Sequence, residues 1–179
     1  MLVGQAPGLT EYRTGQPFSG PAGSGVRNLF VASGLPASEF DRAVYQTSAV
    51  KCFPGRKPNQ SRWEDRPPCA TMQQQCRPFL ARQIETVDPR LIVAMGSVAM
   101  SALDKLRSLP RRALWDVVGS SELWGAIRII PISHTSGGNR SLNDPKNKAK
   151  QMRALAILRD ELALLSTASR WNPAGVELN

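Results

Sequence analysis

Four short apolar runs punctuate the chain: Leu2-Val3 leading into Gly4, Ala43 to Val50, Leu91 to Met95, and Ile127 to Ile132. Short apolar runs between turn signals predict buried strands. Helical patterns separate them. From Ala22 to Ser33, after a Gly/Pro-rich turn, Val26, Leu29 and Phe30 fall on one face. From Met72 to Ile84, the residues Met72, Cys76, Phe79, Leu80 and Ile84 recur at helical spacing. Pro78 interrupts that run and predicts a kink or a new start near Arg77. Ser97 after Gly96 predicts an N-cap for a helix to about Leu106. Asp144-Pro145 is a cap followed by a first-turn proline. It predicts a last long helix with Met152, Leu155, Leu158, Leu162 and Leu165 facing inward. Lys51 to Pro68 is rich in Pro, Arg, Lys and Asn and reads as a long basic loop.

Strands alternating with helices predict an α/β fold with a mostly parallel sheet and helices on both faces. The length of 179 residues suits one domain, expected over 1–165, with a loosely packed polar tail over 166–179. Sheets of this kind bind ligands where their strands exit. The exits are Gln5-Ala6-Pro7-Gly8, Lys51-Cys52-Phe53, Gly96-Ser97 and Ser133-His134-Thr135-Ser136.

Charge then narrows the ligand. Lys and Arg number 23 against 14 Asp and Glu, a formal net charge of +9. That balance favours a polyanion, nucleic acid foremost, over a neutral small molecule. Lys51, Arg56, Lys57, Arg62 and Arg66 lie beside the expected ligand mouth and suit phosphate contacts. Arg107, Arg111 and Arg112 read as a solvated helix end. Trp63 either stacks on a ligand or packs. Aromatic residues are only 6% of the chain, which argues against surfaces built mainly from stacked rings.

Other classes drop out. One histidine excludes a multi-histidine metal site. Cys52, Cys69 and Cys76 are too few and too unevenly spaced for a disulfide framework. Cys76 lies on an apolar helix face and reads as a plain buried thiol. No run approaches the roughly 20 apolar residues of a membrane helix, and the start lacks a signal-peptide pattern. The expected compartment is reducing cytoplasm.

Two stretches could carry chemistry. Phe18, between Pro17 and small residues, is either a flat platform for a nucleobase or a core ring beside a Gly/Pro turn. His134 sits at a strand exit before a polar loop ending in Arg140. Its imidazole could donate a hydrogen bond to a leaving anion, and Arg140 could hold a phosphate. The bland alternative is a solvated surface loop.

The run from Val3 to Gly20 resembles the first motif of the uracil-DNA glycosylase superfamily, closest to its iron–sulfur branch of family 4 and 5 enzymes. Ala49-Val50-Lys51-Cys52, Cys76-Arg77-Pro78-Phe79-Leu80, Leu91 to Gly96 and His134-Thr135-Ser136 follow in that branch's order. The resemblance implies a three-layer α/β/α fold with a central four-stranded parallel sheet, and excision of uracil, or another deaminated base, from single- or double-stranded DNA. A monomer is the default expectation, associated with the nucleoid. A flipped base would enter a pocket at the strand exits. Gln5, with Ala6, Pro7 and Gly8, would hold the attacking water. Phe18 would stack on uracil, and His134 would stabilise the uracil anion. Thr135 to Arg140, including Ser136 and Asn139, would enter the minor groove. Ser19 and Gly20 would lie near backbone phosphates, with Lys51, Arg56 and Lys57 as further DNA contacts.

The departures from the branch matter. Its cysteine pair ahead of the first strand has no counterpart here. Only Cys52 and Cys76 match cluster ligands, so no cluster and no metal are expected. Gln5 stands where the branch often has Glu, and Ala6 and Pro21 stand where other branches have acids. Glu11 is the motif carboxylate that remains. Ser48 replaces the uracil-reading Asn, and Thr135 replaces Pro in the His-Pro-Ser motif. Excision is therefore expected to be slow or broad in its choice of base. A DNA binder that has lost turnover is the first alternative. A hydrolase or nucleotide-binding protein on the same scaffold is the second.

Overall fold

The computed structural model describes residues 1–59, 62–135 and 139–168. In chain order the elements are β1 (Leu2–Gly4), α1 (Leu9–Thr14), α2 (Pro21–Ala32), α3 (Phe40–Ala43), β2 (Gln46–Ser48), β3 (Arg56–Asn59), β4 (Arg62–Asp65), α4 (Ala70–Val87), β5 (Leu91–Met95), α5 (Gly96–Leu106), α6 (Leu114–Val117), β6 (Glu122–Trp124), β7 (Ile127–Ile132) and α7 (Pro145–Ala168). The main sheet runs β2-β1-β5-β7-β6. Its first four strands are parallel, as expected. The fifth, β6, is an antiparallel edge that the sequence reading does not include.

Strand alternation divides the core in two. Leu91, Val93 and Met95 face one layer with Val26, Phe30, Phe40, Ala154 and Leu158, from α2, α3 and α7. Ile92 and Ala94 face the other with Leu80, Ile84, Ala99, Met100 and Leu103, from α4 and α5. Both faces of the sheet are covered, so β5 is buried at every residue and its run is continuously apolar. Pro131 pairs only with the β5 side, because β6 reaches no further than Ile129. Its missing N–H therefore interrupts no ladder.

Several local expectations are corrected. The run at 43–50 is a strand only over Gln46–Ser48, because Ala43 closes α3. Beyond Ser48 the chain still follows the first strand: Ala49 N donates to Gly4 O at 2.8 Å and Val50 N to Gln5 O at 3.0 Å. The basic loop contains a hairpin, β3–β4, in which Arg56 faces Asp65 and Lys57 faces Glu64. Its pairing comes from cross-strand charge rather than apolar alternation, which is why its strands left no hydrophobic signal. Pro78 does not split α4, which runs through it. The carbonyl that Pro78 leaves without a donor belongs to Gln74, which is exposed to water. Phe79 and Met152 point outward rather than into the core. Ser97 lies in the first turn of α5, whose cap position is Met95. Arg107 and Arg112 are not solvated: both pair with Asp104 and Glu122. The helix α7 continues past 165 to Ala168, so part of the expected tail is helical.

Candidate active site

The carboxyl ends of β1, β2, β5 and β7 open into a cleft of ≈ 530 Å³. Its walls include Gln5 to Gly8, Glu11, Phe18, Ser48, Asp65 and His134. The sequence scatters these residues over 130 positions. Parallel strands bring them together because every strand exit lies on the same edge of the sheet.

Phe18 occupies a left-handed backbone conformation, φ 51°. Two glycines make room for it. A Cβ on Gly4 would lie 2.8 Å from the Phe18 ring, and one on Gly23 would lie 1.7 Å from its carbonyl oxygen. The ring is nearly buried against β1 and also lines the cleft. Core ring and cleft wall, posed as alternatives from the sequence, are thus one arrangement.

Glu11 fastens the two loops of the first motif. One carboxylate oxygen accepts from Gly8 N at 3.0 Å and the other from Gly20 N at 2.8 Å. Asp65, from the hairpin, accepts from Leu9 N at 3.1 Å. It approaches Gly8 so closely that a Cβ there would meet its carboxylate at 2.7 Å. Two carboxylates therefore flank the loop expected to hold water. The second comes from a segment whose charge spacing offered no sign of it.

Other expected contacts take different places. The Ser48 hydroxyl donates to Val50 O at 2.7 Å, so towards a base it keeps only acceptor capacity. Lys51 is not a rim cation. Its ammonium turns inward to Thr47 Oγ1 at 2.8 Å, to the Ser48 carbonyl and to Gln83 Oε1. Burial pushes it down to about 8, with the Cys76 sulfur acting in the opposite direction. Arg56 pairs with Asp65 at 3.3 Å and Lys57 with Glu64 at 3.1 Å, both across the hairpin. Ser19 is exposed and donates to Gln16 O at 3.0 Å. Thr135 also turns inward, its hydroxyl donating to Ala22 O at 2.7 Å, so it joins the end of β7 to the start of α2. Ser136 lies outside the described residues. Asn139 Nδ2 donates to His134 O at 2.8 Å, and Arg140 is exposed.

His134 is half-buried where β7 ends. Burial holds its imidazole below the usual histidine value, which favours the neutral ring. Gln5 and His134 also line a second hollow of ≈ 280 Å³, with Gly96, Ser97, Trp115, Ser133 and Asn139. Gly96 turns the chain into α5 at φ 86°. Ser133 Oγ is buried there without a hydrogen-bond partner among the described residues. Asp65, Thr47 and Ser133 are site residues that motif reading missed. Only the strand-exit rule pointed near Ser133.

The model of the uracil-DNA glycosylase superfamily matches residues 1–159. The chain belongs to that superfamily. A type-4 uracil-DNA glycosylase of Thermotoga maritima is 34% identical over 137 residues, covering 76% of this chain and 64% of that protein. One from Archaeoglobus fulgidus is 32% identical over 138 residues, covering 75% and 63%. A type-5 uracil-DNA glycosylase of Pyrobaculum aerophilum is 34% identical over 119 residues, covering 59% and 48%. The chain spans less than two thirds of the length of these relatives.

The cysteines bear on the superfamily's iron–sulfur branch. Lys51 N donates to Cys76 Sγ at 3.4 Å, which brings the buried Cys76 thiol beside the backbone next to the exposed Cys52. Cys69 is exposed at the start of α4. Cys52 and Cys76 are half of the four thiols that a closed cluster uses. Among the described residues no group of three or more His, Cys, Asp or Glu could hold a metal ion. The described residues alone supply fewer ligands than a closed cluster uses. Among the described residues no helix is long and apolar enough to cross a membrane.

Proposed function

We propose that this chain hydrolyses the N-glycosidic bond of uracil in DNA, leaving an abasic site. The observation that carries the reading is the cleft joining the Phe18 ring, Gln5, Ser48 and a half-buried His134. A flipped base stacks on Phe18. Ser48 Oγ accepts from a base N–H. As the bond to the sugar lengthens, negative charge collects on the base, and His134 donates an N–H to the oxygen carrying it. The neutral ring gives this hydrogen bond without surrendering its proton. Gln5 orients water through its side-chain amide.

Glu11 positions rather than reacts, because both of its oxygens hold backbone amides. Its charge and that of Asp65 favour the cationic sugar that base loss leaves behind. Beyond His134, the N-terminus of α5 and the unpartnered Ser133 hydroxyl suit a backbone phosphate. The unit is a monomeric domain over 1–165 that acts without a cluster.

The test uses oligonucleotides carrying one uracil, hypoxanthine or xanthine, single-stranded or paired. The expected result is alkali-labile breaks at uracil in a colourless, iron-free protein. Binding at large protein excess, with no break after long incubation, would instead establish a DNA binder without turnover. The Gln5 amide, where the resembled branch often has a carboxylate, makes that second reading worth the assay.

A further inference from the structure

Three aromatic rings stand outside both cores, two of them on elements that line the cleft and the third stacked on one of these. Trp63 on β4 is 57% exposed and Tyr12 on α1 is 67% exposed. Tyr12 stacks on Phe53, with ring centroids 5.3 Å apart and planes 27° apart. The two supporting elements are fastened together, since Asp65 of β4 accepts from Leu9 N of α1. Trp63 and Asp65 are two residues apart in one strand, so both face the side of the hairpin that meets α1. Glu64, Asp65, Arg66, Thr10 and Glu11, from the same elements, line the cleft. A chain so poor in aromatic residues places three of them on, or stacked against, the elements that line its cleft.

Packing does not account for Trp63. The hairpin is already closed by the Arg56–Asp65 and Lys57–Glu64 pairs, and the ring reaches solvent. Arg13 and Arg66 are exposed nearby in sequence, without an ion pair among the described residues. Exposed rings among unpaired guanidinium groups form the surface that proteins present to single-stranded nucleic acid. Bases stack on the rings while cations track the phosphates.

We propose that Trp63, with Tyr12 braced on Phe53, is a stacking platform for an unpaired base next to the extruded nucleotide, giving the protein a preference for single-stranded or locally melted DNA. The inference rests on the reading that the cleft takes a base from DNA. In a duplex the neighbouring base is held in its own stack and gains little from a second ring. In a single strand it is free to lie on the indole. The platform therefore acts on binding of the strand rather than on bond breaking.

The experiment compares wild type, Trp63→Ala, Trp63→Phe and Tyr12→Ala on one uracil oligonucleotide, single-stranded and paired. Trp63→Ala is expected to raise KM on the single strand by roughly tenfold, the usual weight of one stacked base. On the duplex KM stays within about twofold, kcat is unchanged on both, and Trp63→Phe retains most of the preference. Wild-type indole fluorescence is quenched by a single strand lacking uracil, and that quenching disappears in Trp63→Phe. Unchanged single-strand KM in Trp63→Ala would overturn the proposal, as would an equal or larger loss on the duplex, which would mark a wedge or a general DNA contact. Quenching without any uracil release would refute the glycosylase reading and leave the platform standing.

Discussion

The two ends of α5 use charge in opposite ways. At its C-terminal end, Asp104 is 1% exposed and accepts from Arg107 and Arg112, both at 2.6 Å. Glu122 of β6 completes the group, with Arg107 at 2.7 Å and Arg112 at 2.5 Å. Two cations and two anions close on one another. At its N-terminal end stand His134, whose burial favours the neutral ring, and the buried hydroxyl of Ser133; an exposed Arg140 follows Asn139 of the same hollow. One end closes its charges on one another; the other leaves the Ser133 hydroxyl without a hydrogen-bond partner and Arg140 without an ion pair among the described residues. Raw charge counts do not separate the two. The arginines at 107 and 112 added to the basic total that suggested a polyanion, yet they spend their charge on holding β6 to α5.

Disrupting the closed end should cost stability alone. Asp104→Ala leaves Arg107, whose side chain is 6% exposed, without its nearest anion. Removing one partner of a buried pair costs about 3–5 kcal/mol, because the survivor stays charged and desolvated. Urea denaturation should show that loss, while excision per folded molecule stays at the wild-type level. A fall in rate with the fold intact would mean that the two ends are coupled. At the open end the pattern inverts. His134→Ala should leave the urea midpoint nearly unmoved and lower single-turnover excision by about a hundredfold or more, as loss of one preorganised donor does. An unchanged rate would remove His134 from the mechanism.

How far the sequence carried the reading follows the same division. Strands covered on both faces announce themselves, so β1, β5 and β7 were legible as apolar runs, and with them the strand exits and His134. Elements held by charge did not announce themselves. The β3–β4 hairpin pairs Arg56 with Asp65 and Lys57 with Glu64, so it read as a basic loop, and the carboxylate beside Gly8 went unseen with it. The edge strand β6 is three residues long and half-exposed, below the length at which alternation is visible. The direction of a side chain at a strand exit was equally hidden. Lys51 and Thr135 occupy motif positions, but both turn inward to carbonyls and hydroxyls that the chain alone does not reveal.

The protonation state of His134 gives a subtler separation of the two ends. Burial lowers its pKa below 6.5, so the folded site stays neutral where an unfolded chain would begin to take up a proton. Excision should therefore hold steady as pH falls from 8 through 6.5 and decline only below that. A rate that rises on acidification would assign the role to the imidazolium instead. Stability follows the same sign. Below pH 6.5 the unfolded state binds more protons, so the histidine's contribution is complete above that pH and lost as pH falls. His134→Ala should flatten that part of the stability profile, whereas the Asp104 variant should keep it.

The smallest effect expected is at the rim. Arg66 lines the cleft mouth and Arg140 begins the turn after the Asn139 clasp, and both are exposed and without a carboxylate among the described residues. A cation of this kind holds a phosphate by releasing a counterion. Replacing it with a neutral side chain weakens binding of every sequence alike and lowers the salt slope by about one. Arg66→Gln and Arg140→Gln should each do this in a titration of anisotropy against salt, with catalysis at saturating DNA unchanged. Arg112→Gln is the matched control. It removes the same formal charge from a closed group and should leave the salt slope where it was. If all three changed the slope equally, net charge alone would govern DNA binding, and the distinction between spent and available cations would fail.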